Sequence, residues 1–87
     1  MKTRLLLGGK TYLSRKNTKK IAEKVKQLRI DKGYSSYENF AYENDLSRVQ
    51  YWRLERGTNF TINYLLRVLE IHKLSLAEFF NDIDFKP

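Results

Sequence analysis

The sequence predicts an all-α fold, a compact bundle of five short helices, and three features carry that expectation. Apolar residues recur at intervals of three and four from Thr18 onward. A Ser or Thr able to cap a helix precedes each of the last four apolar stretches. Gly33 and Gly57 stand just past the ends of two stretches, where a left-handed backbone favours glycine. With 87 residues, 41% of them apolar, the chain has material for one modest core and none for a second, ligand-sensing domain. Regulation is therefore expected through oligomerisation or a partner.

Residues 1–17 show no helical periodicity and are read as a basic N-terminal arm, in which Leu5 to Leu13 form either a short hairpin about Gly8-Gly9 or a mobile segment. The first helix spans 18–32, with Ile21, Val25 and Leu28 on one side, lysines opposite and Gly33 as its stop. Ser35 or Ser36 caps a second, short helix, Ser35-x-x-Glu38 having the form of a capping box, with Tyr37, Phe40 and Ala41 on one face. After the interruption at Asn44-Asp45, Ser47-Arg48-Val49-Gln50 opens a third helix that runs to Arg56. Thr61 caps a fourth, with Ile62, Leu65, Leu66, Val68 and Leu69 inward, and Ser75-x-x-Glu78 caps a fifth. Residues 18–80 thus make the domain. In the C-terminal tail, 81–87, the apolar residues that follow Phe79 and Phe80 either close the core or form a contact surface.

The net charge of +7 is unevenly placed. Residues 1–33 hold eleven Lys and Arg against two acids, and residues 34–87 hold six against eight, so the two parts carry +9 and −2. That asymmetry fits either a solvated basic face or an anionic polymer as partner. Composition excludes other classes more firmly. Without cysteine there is no disulfide framework or thiolate site, and the single histidine, His72, has no cluster of carboxylates to complete a metal site. Neither metal, cofactor nor small-molecule ligand is expected. No apolar run approaches the ~18 residues of a spanning helix, and Leu5-Leu6-Leu7 is too short for a signal-peptide core. The expectation is an intracellular protein without membrane contact. No nucleophile with a base, no acid-base pair and no Gly-rich phosphate loop can be placed, which argues against an enzyme.

The segment from Phe40 to Gly57 is the informative one. Two short helices joined by a tight turn cross closely, so the first needs a small residue, Ala41, and the turn needs one tolerant of unusual backbone angles, Asn44 or Asp45. Leu46, Tyr51 and Leu54 then anchor the third helix inward. Arg48, Val49, Trp52 and Arg53 consequently share its outward side, with Arg48 and Val49 at the end that meets base edges when such a helix enters a major groove.

Ser36-Tyr37-Glu38-Asn39-Phe40-Ala41, then Leu46-Ser47-Arg48, then Arg53-Leu54-Glu55-Arg56-Gly57, resembles in order and spacing the second helix, turn and recognition helix of the Cro/repressor-type helix-turn-helix family, also called the xenobiotic-response-element family of bacterial and phage regulators. Leu65 to Leu69 and Leu74 to Phe80 are similar to its fourth and fifth helices, so the likeness covers about 18–80. Asp45 stands where the family usually has Gly, and Tyr51 and Trp52 replace smaller residues.

The resemblance implies a lambda-repressor-like fold and a sequence-specific, duplex-DNA-binding transcriptional regulator, and for so small a protein repression is the simpler expectation than activation, because sitting on a promoter needs no extra surface. It also implies a homodimer whose half-sites lie about one helical turn apart, working in the cytoplasm at the nucleoid. Arg48, Val49 and Arg53 would face base edges: arginine reads guanine bidentately and valine packs on a thymine methyl. Ser36 and Tyr37, with Thr58 and Asn59 across the groove, would hold phosphates, and Ser47 belongs to the same set as the cap of the reading helix. Trp52 either touches a sugar or base edge or simply packs. The basic residues Lys10, Arg15, Lys16, Lys19 and Lys20 would follow a phosphate backbone or enter a minor groove, diffuse attraction being the simpler expectation. The resemblance further implies an ion pair of Arg29 with Glu55, structural rather than DNA-contacting; His72 is given no role. The rival readings are a protein-interaction or antitoxin-like module, for which the apolar tail speaks, and RNA binding, for which interleaved Tyr and Lys speak but a helical fold does not.

Overall fold

In a computed structural model of the chain, residues 15–85 are described and form five helices with no strand among them. These are α1 (Arg15–Asp31), α2 (Tyr37–Glu43), α3 (Arg48–Arg56), α4 (Ile62–Ile71) and α5 (Leu76–Asn81). The first helix starts three residues earlier than its apolar pattern suggests, because Arg15, Lys16 and Asn17 extend it into what reads as arm. Of the arm expected over 1–17, residues 1–14, with the Leu5 to Leu13 segment and Lys10, lie outside the described residues.

Helices α2 to α5 begin on side-chain caps. Ser36, in an extended conformation, accepts from the Glu38 and Asn39 amides and caps α2. This corrects the Ser35-x-x-Glu38 box, since with Tyr37 as first residue Glu38 comes one position too early to reach back. Ser47 and Thr61 accept from the Gln50 and Tyr64 amides. At α5 the box is complete, with Ser75 accepting from Glu78 and the Glu78 carboxylate accepting from the Ser75 amide.

Four helices end alike. In each, an amide two or three residues past the helix bonds the carbonyl five residues back while the residue just before it turns left-handed: Tyr34 to Arg29, Leu46 to Ala41, Thr58 to Arg53 and Leu74 to Leu69, at 3.1, 2.9, 3.0 and 3.0 Å. The left-handed residue is Gly33 after α1 and Gly57 after α3, but Asp45 after α2 (φ 56°) and Lys73 after α4 (φ 59°). Of the two turn residues the sequence leaves open, Asp45 therefore takes the unusual angles, while Asn44 stays at φ −110° and its side chain donates to the Phe40 carbonyl at 2.8 Å.

The core draws one or more residues from every helix, with Phe40 near its centre. Its ring meets Tyr34 edge-on and Tyr51 at a tilt, both at 5.1 Å, and stacks on His72 at 5.3 Å. Val25, Ala41, Leu54, Leu65, Val68 and Phe79 are fully enclosed around it. α4 differs from expectation. It has more apolar residues than one face can hold, and Tyr64, Leu65, Val68 and Leu69 take the inward positions, leaving Ile62 53% and Leu66 37% exposed. The tail closes the core: Phe80, Ile83 and Phe85 pack against it, Asp82 pairs with Lys24 at 3.2 Å, and Lys20 donates to the Asp84 carbonyl.

Candidate nucleic-acid interface

α3 is held from three sides before its outward face is considered. Tyr51 and Leu54 are fully buried beneath it. From α1, Arg29 reaches across to Glu55 with Nε to Oε2 at 2.8 Å and Nη2 to Oε1 at 3.2 Å, and its remaining arm donates to the Tyr34 carbonyl at 2.7 Å. Both side chains are less than a tenth exposed, so the pair works where solvent screens it little. The Glu55 hydrogen bond, acting against desolvation, raises the Arg29 pKa. The Tyr51 hydroxyl lies buried beside this pair, and burial, with the Glu55 carboxylate next to it, pushes its pKa far up, keeping it neutral. From α4, Arg67 donates to the Asp45 carbonyl at 3.0 Å and so ties down the turn that aims α3. The Tyr64 phenol, its pKa raised by burial, is 3.5 Å from the Ser47 carbonyl.

The outward face follows from that anchoring. Arg48, Val49 and Trp52 are exposed and, with Tyr37 at the start of α2, line one shallow hollow. Arg53 turns to a second, smaller recess, which it shares with Gln50, Asn59, Thr61 and Tyr64. The residues assigned from the sequence therefore fall in two groups on either side of α3. Ser36 and Ser47 use their hydroxyls as caps, each accepting from the helix it precedes. Asn59 holds a left-handed angle (φ 50°) in the exposed loop after α3, next to exposed Thr58.

The two lysines part company. Lys16 is exposed on the first turn of α1, whereas Lys20 is drawn onto the C-terminal segment by the Asp84 carbonyl. An ammonium engaged there has to leave that carbonyl before it can reach a phosphate.

Sequence reasoning overlooked Gln50 and Arg56. The Arg56 guanidinium lies 5.1 Å over the Trp52 ring, a cation–π contact that fixes the indole at the edge of the hollow. The four-residue spacing of Trp52 and Arg56 was the available signal. Among the described residues no group of His, Cys, Asp or Glu could hold a metal ion, and no helix is long and apolar enough to cross a membrane. No family model, curated protein or solved structure matches the chain.

Proposed function

We propose that the chain binds duplex DNA sequence-specifically, laying α3 in the major groove from a lambda-repressor-like helix-turn-helix, and acts as a transcriptional regulator of the repressor type. The observation that supports this best is the convergence of Arg48, Val49 and Trp52 of α3 with Tyr37 of α2 on one outward hollow, above a helix whose other face is fully buried. Arginine with an aliphatic neighbour suits guanine and a thymine methyl, and the buried anchoring fixes their aim. Ser36, Tyr37, Thr58 and Asn59 flank α3 and suit backbone positioning rather than base reading.

Trp52 is the only tryptophan, so its emission reports directly on this face. Addition of duplex DNA should change it saturably, and single-stranded RNA should compete poorly. An emission indifferent to duplex, or more responsive to single-stranded RNA, would overturn the proposal.

The exposed Ile62 and Leu66, four residues apart on α4, favour a protein contact as well, which in the proposed scheme is the homodimer. Ile62→Ser with Leu66→Ser should then abolish concentration-dependent association in sedimentation equilibrium. Association unaffected by that pair would place any self-contact elsewhere.

A further inference from the structure

α1 carries lysines on two flanks, and the fold engages those on only one of them. Lys20 and Lys24 face the C-terminal segment, Lys20 bonded to the Asp84 carbonyl and Lys24 paired with Asp82. Lys19 and Lys26, seven residues apart and hence on a common flank, face the end of α3. An open groove runs there, with Lys19, Ala22 and Lys26 on one wall and Arg56, Gly57 and Thr58 on the other. Both lysines are exposed, and neither makes an ion pair or hydrogen bond among the described residues.

Two carboxylates also border the groove, and they do not cancel it. Glu55 is answered by Arg29, which leaves Glu23 against Lys19, Lys26 and Arg56. The groove keeps an excess of positive charge. Its shape is fixed by Gly57: a Cβ there would lie 2.9 Å from the Thr18 carbonyl oxygen, so the missing side chain is what lets the end of α3 settle against α1. Arg56 is steadied over Trp52, which in turn lines the hollow containing Arg48, Val49 and Tyr37. Cationic groups thus continue from the reading face round the end of α3 to α1.

We infer that this groove seats the phosphate backbone of the same duplex, with Lys19 and Lys26 on separate phosphates and Arg56 on the strand as it leaves α3; the inference rests on the reading of α3 as the DNA-facing helix. At 1.5 Å of rise per residue the two lysines are anchored about 10 Å apart, a spacing that lets each take its own phosphate. Arg56, planar and held by the indole, offers its donors as a fork suited to a phosphate. The contacts are to the backbone and so carry no sequence preference.

The test compares two double variants of equal charge, Lys19→Ala with Lys26→Ala in the groove and Lys32→Ala with Lys73→Ala, exposed just past the ends of α1 and α4. Affinity for a duplex about two helical turns long is measured between about 50 and 200 mM salt. The groove pair should lower the log–log salt slope by about 2, roughly 1 per lysine, weaken every duplex alike by about tenfold or more at the low-salt end, and leave the thermal midpoint unchanged. The control pair should do clearly less. Equal losses in the two pairs, or none in the groove pair, would overturn the groove while leaving α3 intact, provided Arg48→Ala still impairs binding. A wild-type protein that binds no duplex would overturn both.

Discussion

Arg29 and Glu55 join α1 to α3 by two bonds, 2.8 and 3.2 Å long, across a nearly buried contact. Removing one partner strands the other charge in a poorly solvated place, a larger loss than the pair's own net contribution. Glu55→Ala should therefore cost about 3 kcal/mol in urea unfolding. A loss under about 1 kcal/mol, the range of exposed pairs, would show that water reaches Arg29 readily.

Gly33 and Gly57 both have positive φ, at 99° and 76°, but only Gly57 has a close neighbour. Gly33→Ala should cost the conformational penalty alone, about 1 kcal/mol. Gly57→Ala adds a contact with the Thr18 backbone and should cost about 2 kcal/mol or more. Thermal unfolding of the two variants side by side checks the difference; equal losses would mean that α1 gives way without cost.

His72 stacks on Phe40 with its Nε2 buried and unpartnered, and burial, aided by Lys32, lowers its pKa from the usual 6.5. The neutral ring is thus the one the fold prefers. Its contribution is complete above the unfolded-state value near 6.5 and is lost as pH falls from there toward the lower folded-state value. The melting temperature should drop through that interval, and His72→Phe, which keeps the stack without the nitrogen, should flatten the drop. A wild-type and variant with the same pH profile would remove His72 from the account.

The C-terminal segment belongs to the core, since Ile83 and Phe85 pack on it and Asp82 pairs with Lys24. Deleting residues 82–87 should lower stability by about 2 kcal/mol, the loss of two partly buried apolar side chains. An unchanged unfolding midpoint would instead make this segment a free contact surface.

Much of the helical layout could be read in the sequence because it rests on local signals. Ser47, Thr61 and Ser75 cap where their spacing to the next apolar residues suggests, and Gly33 and Gly57 stop α1 and α3. The stop after α2 was legible at Asn44-Asp45 but not which of the two turns left-handed, and the stop after α4 was harder to see, because Lys73 takes the left-handed angle at a strain that only the completed end motif, the bond from Leu74 to Leu69, offsets. Ile62 and Leu66 misled for the opposite reason: periodicity marks an apolar stripe but not which edge of it Tyr64 will claim. For the candidate site, the outward set Arg48, Val49 and Trp52 followed from the inward set Tyr51 and Leu54. The division of the α1 lysines depended on where the C-terminal segment returns, a contact more than fifty residues distant in sequence that no local pattern encodes.

The proposed reading of base pairs by α3 can be checked by selection from a randomised duplex library at about 150 mM salt, where diffuse attraction is weak. An enriched motif should emerge, with Arg48→Ala and Arg53→Ala each lowering affinity for it by about 1–3 kcal/mol and relaxing preference at one base pair. A pool that emerges unenriched from the wild-type protein, or a motif that both variants retain at full strength, would contradict that reading.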